Sequence, residues 1–358
     1  MTTLSLAMIV RDGGEELAQT LEAAKQLCDE LIVVDTGSTD GTIEVAKSFG
    51  AKVFSHSWRD DFGKARNESF RHCTSDWIMW LDCGDTISAE SVAGFLQLKS
   101  LLHSMEGTNY VWCNINRGIG ADGGVLFRFY TPRFIRRSSK PTWIGAVHEY
   151  LDGSEMRAFQ WDNGSVDDHL AFSKTPTERN LNILKRLLDE GDKTPRTAFY
   201  YANELRDHHR YDEAVAAYGQ FIAMNHLTWE YYSALDSLAS CLYYLGDQDQ
   251  AMQVYWRAIT FDATRAEAWV GIGDLAYNIQ QFDKAVPFYK AAIGLKPPAH
   301  GFVSQTCYTW LPWDRLSICY RNLGMIDEAI DACVEALKTC PERERIVANL
   351  LTFYAARG

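Results

Sequence analysis

DWIMWLDCGD occupies residues 76–85. It is short, apolar and β-rich through Leu81, which reads as a strand. Asp82 and Asp85 leave its end, where burying an unpaired carboxylate would be costly. Two carboxylates concentrated there suit a divalent cation holding a diphosphate. The plainer alternative is a strand-end turn in which Cys83 and Gly84 supply the flexibility.

Similar runs recur at 4–10 (LSLAMIV), 31–35 (LIVVD), 51–56 (AKVFSH) and 110–116 (YVWCNIN). Helical spacing fills 15–28, 42–49, 63–73 and 88–104 between them. That alternation predicts an α/β domain with a mostly parallel sheet covered on both faces. Ligands of such sheets bind at the carboxyl ends of strands, so the residues after each strand are the first candidates. VVDTGSTDGT (33–42) delivers Asp35 at a strand end, turns on small residues and offers Asp40 to cap the next helix. Asp35 there suits a ribose hydroxyl or a base N–H; a capped turn is the alternative.

The chain has 358 residues, enough for two domains, and its 47% hydrophobic and 13% aromatic content supports packed cores. A formal charge of −12 is the wrong sign for a generic nucleic-acid binder. No apolar run reaches the ~18 residues a spanning helix needs. MTTLSLAMIVRDGG, at the start, meets Arg11 and Asp12 too early for a signal peptide. Nine cysteines without a Cys-x-x-Cys pair or a Cys/His cluster read as free thiols, mostly in cores. The expectation is a soluble cytoplasmic protein.

From about residue 195 the pattern is helical throughout. Ala214 (HRYDEA), Ala251 (GDQDQA), Ala285 (QQFDKA) and Ala329 (GMIDEA) recur at spacings of 37, 34 and 44 residues, each after a turn and an acidic residue. Around Ala285 stand Trp269, Ile272, Gly273, Ala276, Tyr289, Ala292 and Pro297. The last copy retains Trp313, Leu316, Tyr320, Ala336 and Pro341 after an insertion near 298–309. Small residues at those offsets let paired helices approach, and large ones fill the groove of the next pair. This resembles the tetratricopeptide repeat. ERNLNILKRLLDEG, a charged helix, reads as the connector, which gives domains at 1–170 and 195–358 joined by 171–194.

Residues 4 to about 180 resemble glycosyltransferase family 2, which has the GT-A fold. The likeness rests on Asp35 in DTGSTDGT, Asp82 in the Asp-x-Asp position, and RDDFGKARN (59–67) with its Asp-Phe pair and Ala-Arg-Asn. Asp12 and Glu15 match the start of the family, Asp12 replacing the usual Asn. The resemblance implies a nucleotide-sugar donor, UDP-sugar first, bound by Val10, Arg11, Glu15, Asp35, Arg66, Asp82 and Cys83. Arg66 would lie near the base and phosphates, where a fixed guanidinium suits both. Gly84 stands where the second Asp-x-Asp acid belongs, with Asp85 one position later. Either Asp85 takes over ligation of the implied Mn²⁺ or Mg²⁺, or the metal is held more weakly. His169, in DDHLAFS, is a further candidate for metal or diphosphate, with a structural role as its alternative.

TPRFIRR and WIGAVHEYL, within 131–151, resemble the segment of these transferases that ends in Gly-x-x-His-Glu. Transfer needs a group that removes the acceptor proton and neutralisation of the departing diphosphate. Glu149 is the candidate base, Asp85 its rival, and His148 a candidate to orient substrate or diphosphate. The alternative is that His148 and Glu149 only cap a loop. Arg128, Arg133, Arg136, Arg137 and Lys140 form a basic strip, either a solvated edge strand or a contact for diphosphate or an anionic acceptor, with Arg136 chosen for that contact. Trp161, Trp310 and Trp313 are candidates for stacking on sugar, although Trp313 falls on a repeat-core position.

The two-part architecture resembles bacterial or prophage enzymes that glycosylate peptides, including sublancin-type S-glycosyltransferases. It implies a peptide or protein acceptor, at a Cys or Ser side chain, while inversion is implied by the family 2 resemblance alone. Polysaccharide or modified phage DNA are other acceptors within the family, and a homodimer stays open. A catalytically inactive interaction scaffold is the reading from a different class. The joint presence of Asp35, Arg66, Asp82 and Asp85 favours the enzyme.

Overall fold

The computed structural model describes residues 2–119, 125–153, 157–168, 177–298, 301–341 and 343–357. The chain divides into two compact units, Met1–Thr177 and Glu178–Gly358.

The first unit alternates β1 (Leu4–Val10), α1 (Gly14–Leu27), β2 (Glu30–Asp35), α2 (Thr42–Ser48), β3 (Lys52–Ser55), α3 (Phe62–His72) and β4 (Trp77–Trp80). The two-residue β5 (Asp85–Thr86), α4 (Ala89–Leu101), β6 (Tyr110–Ile119), β7 (Val125–Arg136), β8 (Thr142–Ile144), β9 (Tyr150–Asp152) and β10 (Ala158–Asp168) follow. Eight strands form one sheet in the order β3-β2-β1-β4-β7-β6-β10-β5, and β8 and β9 form a separate hairpin. β1 to β4 are mutually parallel, and β6 and β10 share their direction, whereas β7 and β5 run against their neighbours. The sheet is mostly parallel, as expected.

Period-two alternation splits β1 between two cores. Leu4, Leu6, Met8 and Val10 pack with Leu17 and Leu21 of α1 and with Phe95 and Leu98 of α4. Ala7 joins Phe70, Ile78 and Trp80 on the opposite face, and Ile9 joins Val34 and Ala65. β7 corrects the reading of the basic strip as a solvated edge, because it lies inside the sheet between β4 and β6.

The second unit is helical: α5 (Glu178–Asp189), α6 (Pro195–Asp207), α7 (Tyr211–Ala223), α8 (Trp229–Tyr244), α9 (Gln248–Phe261), α10 (Ala266–Asn278) and α11 (Phe282–Ala292). It continues through the single turn α12 (Gln305–Tyr308), α13 (Leu311–Asn322), α14 (Ile326–Leu337) and α15 (Arg343–Ala356). Ala214, Ala251, Ala285 and Ala329 are all fully buried at 0% exposure, so the aligned position is where paired helices touch. Five residues before each stands a left-handed residue that reverses the chain: His209, Gly246, Gln280 and Gly324. Four residues after three of them stands a buried tyrosine. The hydroxyls of Tyr218 and Tyr289 donate to Asn203 Oδ1 (2.6 Å) and Asp274 Oδ1 (2.7 Å) on the preceding helix. Trp310 and Trp313 pack against this core, and Trp161 against that of the first unit. No helix among the described residues is long and apolar enough to cross a membrane.

Candidate active site

The carboxyl ends of β2, β1 and β4 lie side by side, and their loops are stitched together. Thr36 N–H donates to the Val10 carbonyl (2.9 Å), Asp12 N–H to Ser38 Oγ (2.9 Å), and Thr39 N–H to Asp12 Oδ1 (2.7 Å). Asp35 is buried, and its carboxylate accepts from Gly37 N–H (3.1 Å) and Ser38 N–H (3.2 Å). Asp40 Oδ1 accepts from Thr42 N–H (3.0 Å) at the start of α2. Arg11, in a loose ion pair with Asp12 (3.6 Å), and Glu15 are exposed beside this loop.

After β4 the chain makes a tight turn closed by Asp85 N–H to the Asp82 carbonyl (3.0 Å). Gly84 is its third residue with φ +99°, a left-handed position that disfavours any side chain. That explains glycine where Asp-x-Asp has an acid. Asp85 turns inward: it is 4% exposed, and Oδ2 accepts from Asp82 N–H (3.0 Å) and Arg133 Nη1 (2.9 Å). Arg133 Nη1 also donates to the Trp80 carbonyl (3.1 Å), and its guanidinium lies 3.8 Å from the centre of the Trp80 ring. A bulge aims it there: Val111 pairs with Phe134 but Trp112 with Pro132, leaving Arg133 as the extra residue of β7. Burial, with the charges of Asp82 and Asp168, outweighs Arg133 and pushes the Asp85 carboxyl up to about 6. Burial also disfavours ionised Asp82, but Arg66 and Arg133 prevail and hold its carboxyl below the usual range.

Arg66, on α3, joins the two halves of the site. Its Nη2 donates to Asp82 Oδ1 (2.7 Å) and its Nε to Glu149 Oε1 (2.5 Å). Its guanidinium lies 4.8 Å from the Trp80 ring and 5.1 Å from the Trp143 ring. Two carboxylates and two aromatic faces keep it charged although it is buried. The Asp82 side chain is 48% exposed, so the bridge faces solvent through that residue.

Residues 5–141 match the glycosyl transferase family 2 model, and 202–266 and 266–298 match two tetratricopeptide repeat models. The first unit is a family 2 glycosyltransferase domain. A TPR repeat-containing protein of Synechococcus elongatus is 27% identical over 342 residues, 95% of this chain and 76% of that protein. The SPbeta prophage-derived glycosyltransferase SunS of Bacillus subtilis is 24% identical over 222 residues, 60% of this chain. The chain spans about half (51%) of the length of SunS. A crystal structure of a thermophilic TPR protein from Thermus thermophilus covers 50% of this chain and 90% of its own at 19% identity, with a TM-score of 0.37. Glycosyl transfer is the activity that the family 2 domain and its glycosyltransferase relatives support.

Within the family 2 domain the fold brings Val10, Asp35, Asp82, Cys83 and Asp85 to neighbouring strand ends, with Arg66 and Glu149 against Asp82. Arg136 is not among them. It pairs with Trp77, at the opposite end of β4, where its Nε and Nη2 bind the carbonyls of Thr108 (2.8 Å) and Met105 (2.7 Å). Arg137 likewise binds the Ser75 carbonyl (2.6 Å), so these cations secure backbone far from the site. His148 takes a left-handed φ of 52° in the turn that presents Glu149. His169 lies outside the described residues. Among the described residues no group of three or more His, Cys, Asp or Glu side chains is arranged to hold a metal ion. Sequence reasoning missed the ring pair Trp80 and Trp143 and the inward role of Arg133. The signal for Arg133 was a proline-arginine step inside a β-rich run, where a buried cation requires a carboxylate.

Proposed function

We propose that the family 2 domain transfers a sugar from a nucleotide-sugar donor, UDP-sugar first, to a peptide or protein side chain with inversion. The observation that carries this reading is the Asp82–Arg66–Glu149 bridge at the end of β4, solvated through Asp82 and flanked by the β1 and β2 loops. The acceptor oxygen or sulfur attacks the anomeric carbon while the bond to the diphosphate oxygen breaks. Glu149 takes the acceptor proton, and the diphosphate leaves with the electron pair. Arg66, fixed by two carboxylates and two rings, offers a cation to the leaving charge without reorganising. Attack from the face opposite the leaving group inverts the centre.

Oδ2 of Asp82 has no hydrogen-bond partner among the described residues, which suits one carboxylate ligand to Mn²⁺ or Mg²⁺. Such an ion, completed by water and the donor phosphates, would neutralise charge on the diphosphate. Asp85 is occupied with Arg133 and the Asp82 amide, so it supports the turn from behind. We assign chemistry to 1–170 and acceptor presentation to 195–358, with 171–194 between them. Nine free cysteines, seven of them buried, suit a cytoplasmic protein. Incubation with UDP-, GDP- and dTDP-sugars tests this: nucleoside diphosphate release from one of them, lost in EDTA and restored by Mn²⁺ or Mg²⁺, is expected. No release from any donor would overturn it.

A further inference from the structure

We propose that Asn67 is a positioning residue that locks the Glu149-bearing hairpin to the helix carrying Arg66; this rests on the reading of Glu149 as the base. Its side-chain amide takes both backbone polar groups of one residue. Nδ2 donates to the Trp143 carbonyl (2.8 Å), and Oδ1 accepts from Trp143 N–H (2.8 Å). Only a side chain with one donor and one acceptor at that spacing makes this pair.

The same helix grips the hairpin at two further points. The first turn of a helix has free N–H groups, and α3 divides its own between a cap and the hairpin. Lys64 N–H goes to the Asp61 side chain (2.8 Å), whereas Phe62 N–H and Gly63 N–H go to the carbonyls of Ala146 (2.8 Å) and Gly145 (3.2 Å). A Cβ at Gly63 would lie 2.5 Å from the Gly145 oxygen, so only glycine permits this approach. β8 and its turn are therefore held at Trp143, Gly145 and Ala146 by a helix that also projects Arg66 onto Glu149 (2.5 Å). Among the described residues β8 and β9 pair as strands only with each other. These bonds, with the Tyr110 hydroxyl on the Asp152 carbonyl (3.0 Å) and the packing of Trp143 and Leu151, hold the hairpin in place of strand pairing with the main sheet. Asn67 sets where the Glu149 carboxylate stands relative to Asp82.

The test compares wild type, Asn67→Ala and Asn67→Gln in full-length protein. The readouts are hydrogen exchange and steady-state kinetics, with UDP-glucose, UDP-N-acetylglucosamine, GDP-mannose and dTDP-glucose as the donor panel. Asn67→Ala is expected to speed exchange of the Trp143 and Ile144 amides while β1 and β4 amides keep wild-type protection. It should lower kcat by about 10- to 100-fold, the effect of misplacing a group by about 1 Å, and leave donor KM within about twofold. Asn67→Gln, whose longer arm shifts the same amide, should recover part of the exchange protection. Unchanged hairpin exchange in Asn67→Ala, or a rise in KM at constant kcat, would overturn the proposal. A wild-type protein that turns over none of the four donors would instead overturn the functional reading, and the exchange comparison still decides the clamp.

Discussion

Replacing Arg133 by methionine removes one half of a buried ion pair while keeping apolar packing on Trp80. The Arg133 and Asp85 side chains are 5% and 4% exposed and 2.9 Å apart. Breaking such a pair by deleting one partner costs about 3–5 kcal/mol, because the remaining charge has lost both water and its counterion. Arg133→Met is therefore expected to lose about that much stability at pH 7.5, read as the opening free energy from hydrogen exchange of β1 and β4 amides. The double variant Asp85→Asn/Arg133→Met removes both charges and should recover most of the loss. pH supplies an independent check. The Asp85 carboxyl stands at about 6 in the folded chain, above its ordinary value. Between those values the folded chain holds a proton that the unfolded chain has released. Its stabilising contribution is thus full below about pH 4 and is lost as pH rises through 6. Without Arg133 the carboxyl rises further, so the penalty of Arg133→Met should shrink at pH 5. A single variant within about 1 kcal/mol of wild type at pH 7.5, or a double variant no better than the single, would refute this account of the pair.

Glu149→Gln keeps the shape of the side chain but removes its basicity. On a hydroxyl acceptor kcat should fall by about 10²–10⁴ with donor affinity nearly unchanged, as measured by steady-state kinetics and calorimetry. Gly84→Asp restores an acid at the second Asp-x-Asp position but forces a side chain into φ +99°. It should cost about 1–2 kcal/mol without tightening donor binding, which thermal unfolding and calorimetry would show. Ala285→Leu overfills a fully buried helix contact and should cost about 1–3 kcal/mol, seen as faster exchange in α10 and α11 with the sheet unaffected.

The parallel half of the sheet was legible because β1, β2 and β4 are short and mostly apolar, the near-continuous hydrophobic runs that strands buried on both faces show. The repeats were legible because close helix contact admits only small side chains, and Ala214, Ala251, Ala285 and Ala329 mark it. β7 was not legible. VLFRFYTPRFIR carries arginines and a proline that argue against an interior strand, and its bulge at Arg133 cannot be seen from one chain segment. Asp82, Arg66 and Glu149 were each named as candidates, but the bridge between them was hidden. It joins residues 16 and 83 positions apart through a hairpin of two three-residue strands. Arg136 was misplaced because a basic run gives no hint of which strand end each cation serves.

Calorimetric titration of wild type and Asp82→Ala with the donor that wild type hydrolyses fastest tests whether the donor sits at the end of β4. Asp82 is the half-exposed carboxylate of the bridge, held to Arg66 at 2.7 Å, and little of the core depends on its side chain. The expected result is measurable binding to wild type and none to Asp82→Ala, with unchanged circular dichroism. An Asp82→Ala protein that binds the donor as wild type does would contradict the placement of the donor site at the end of β4.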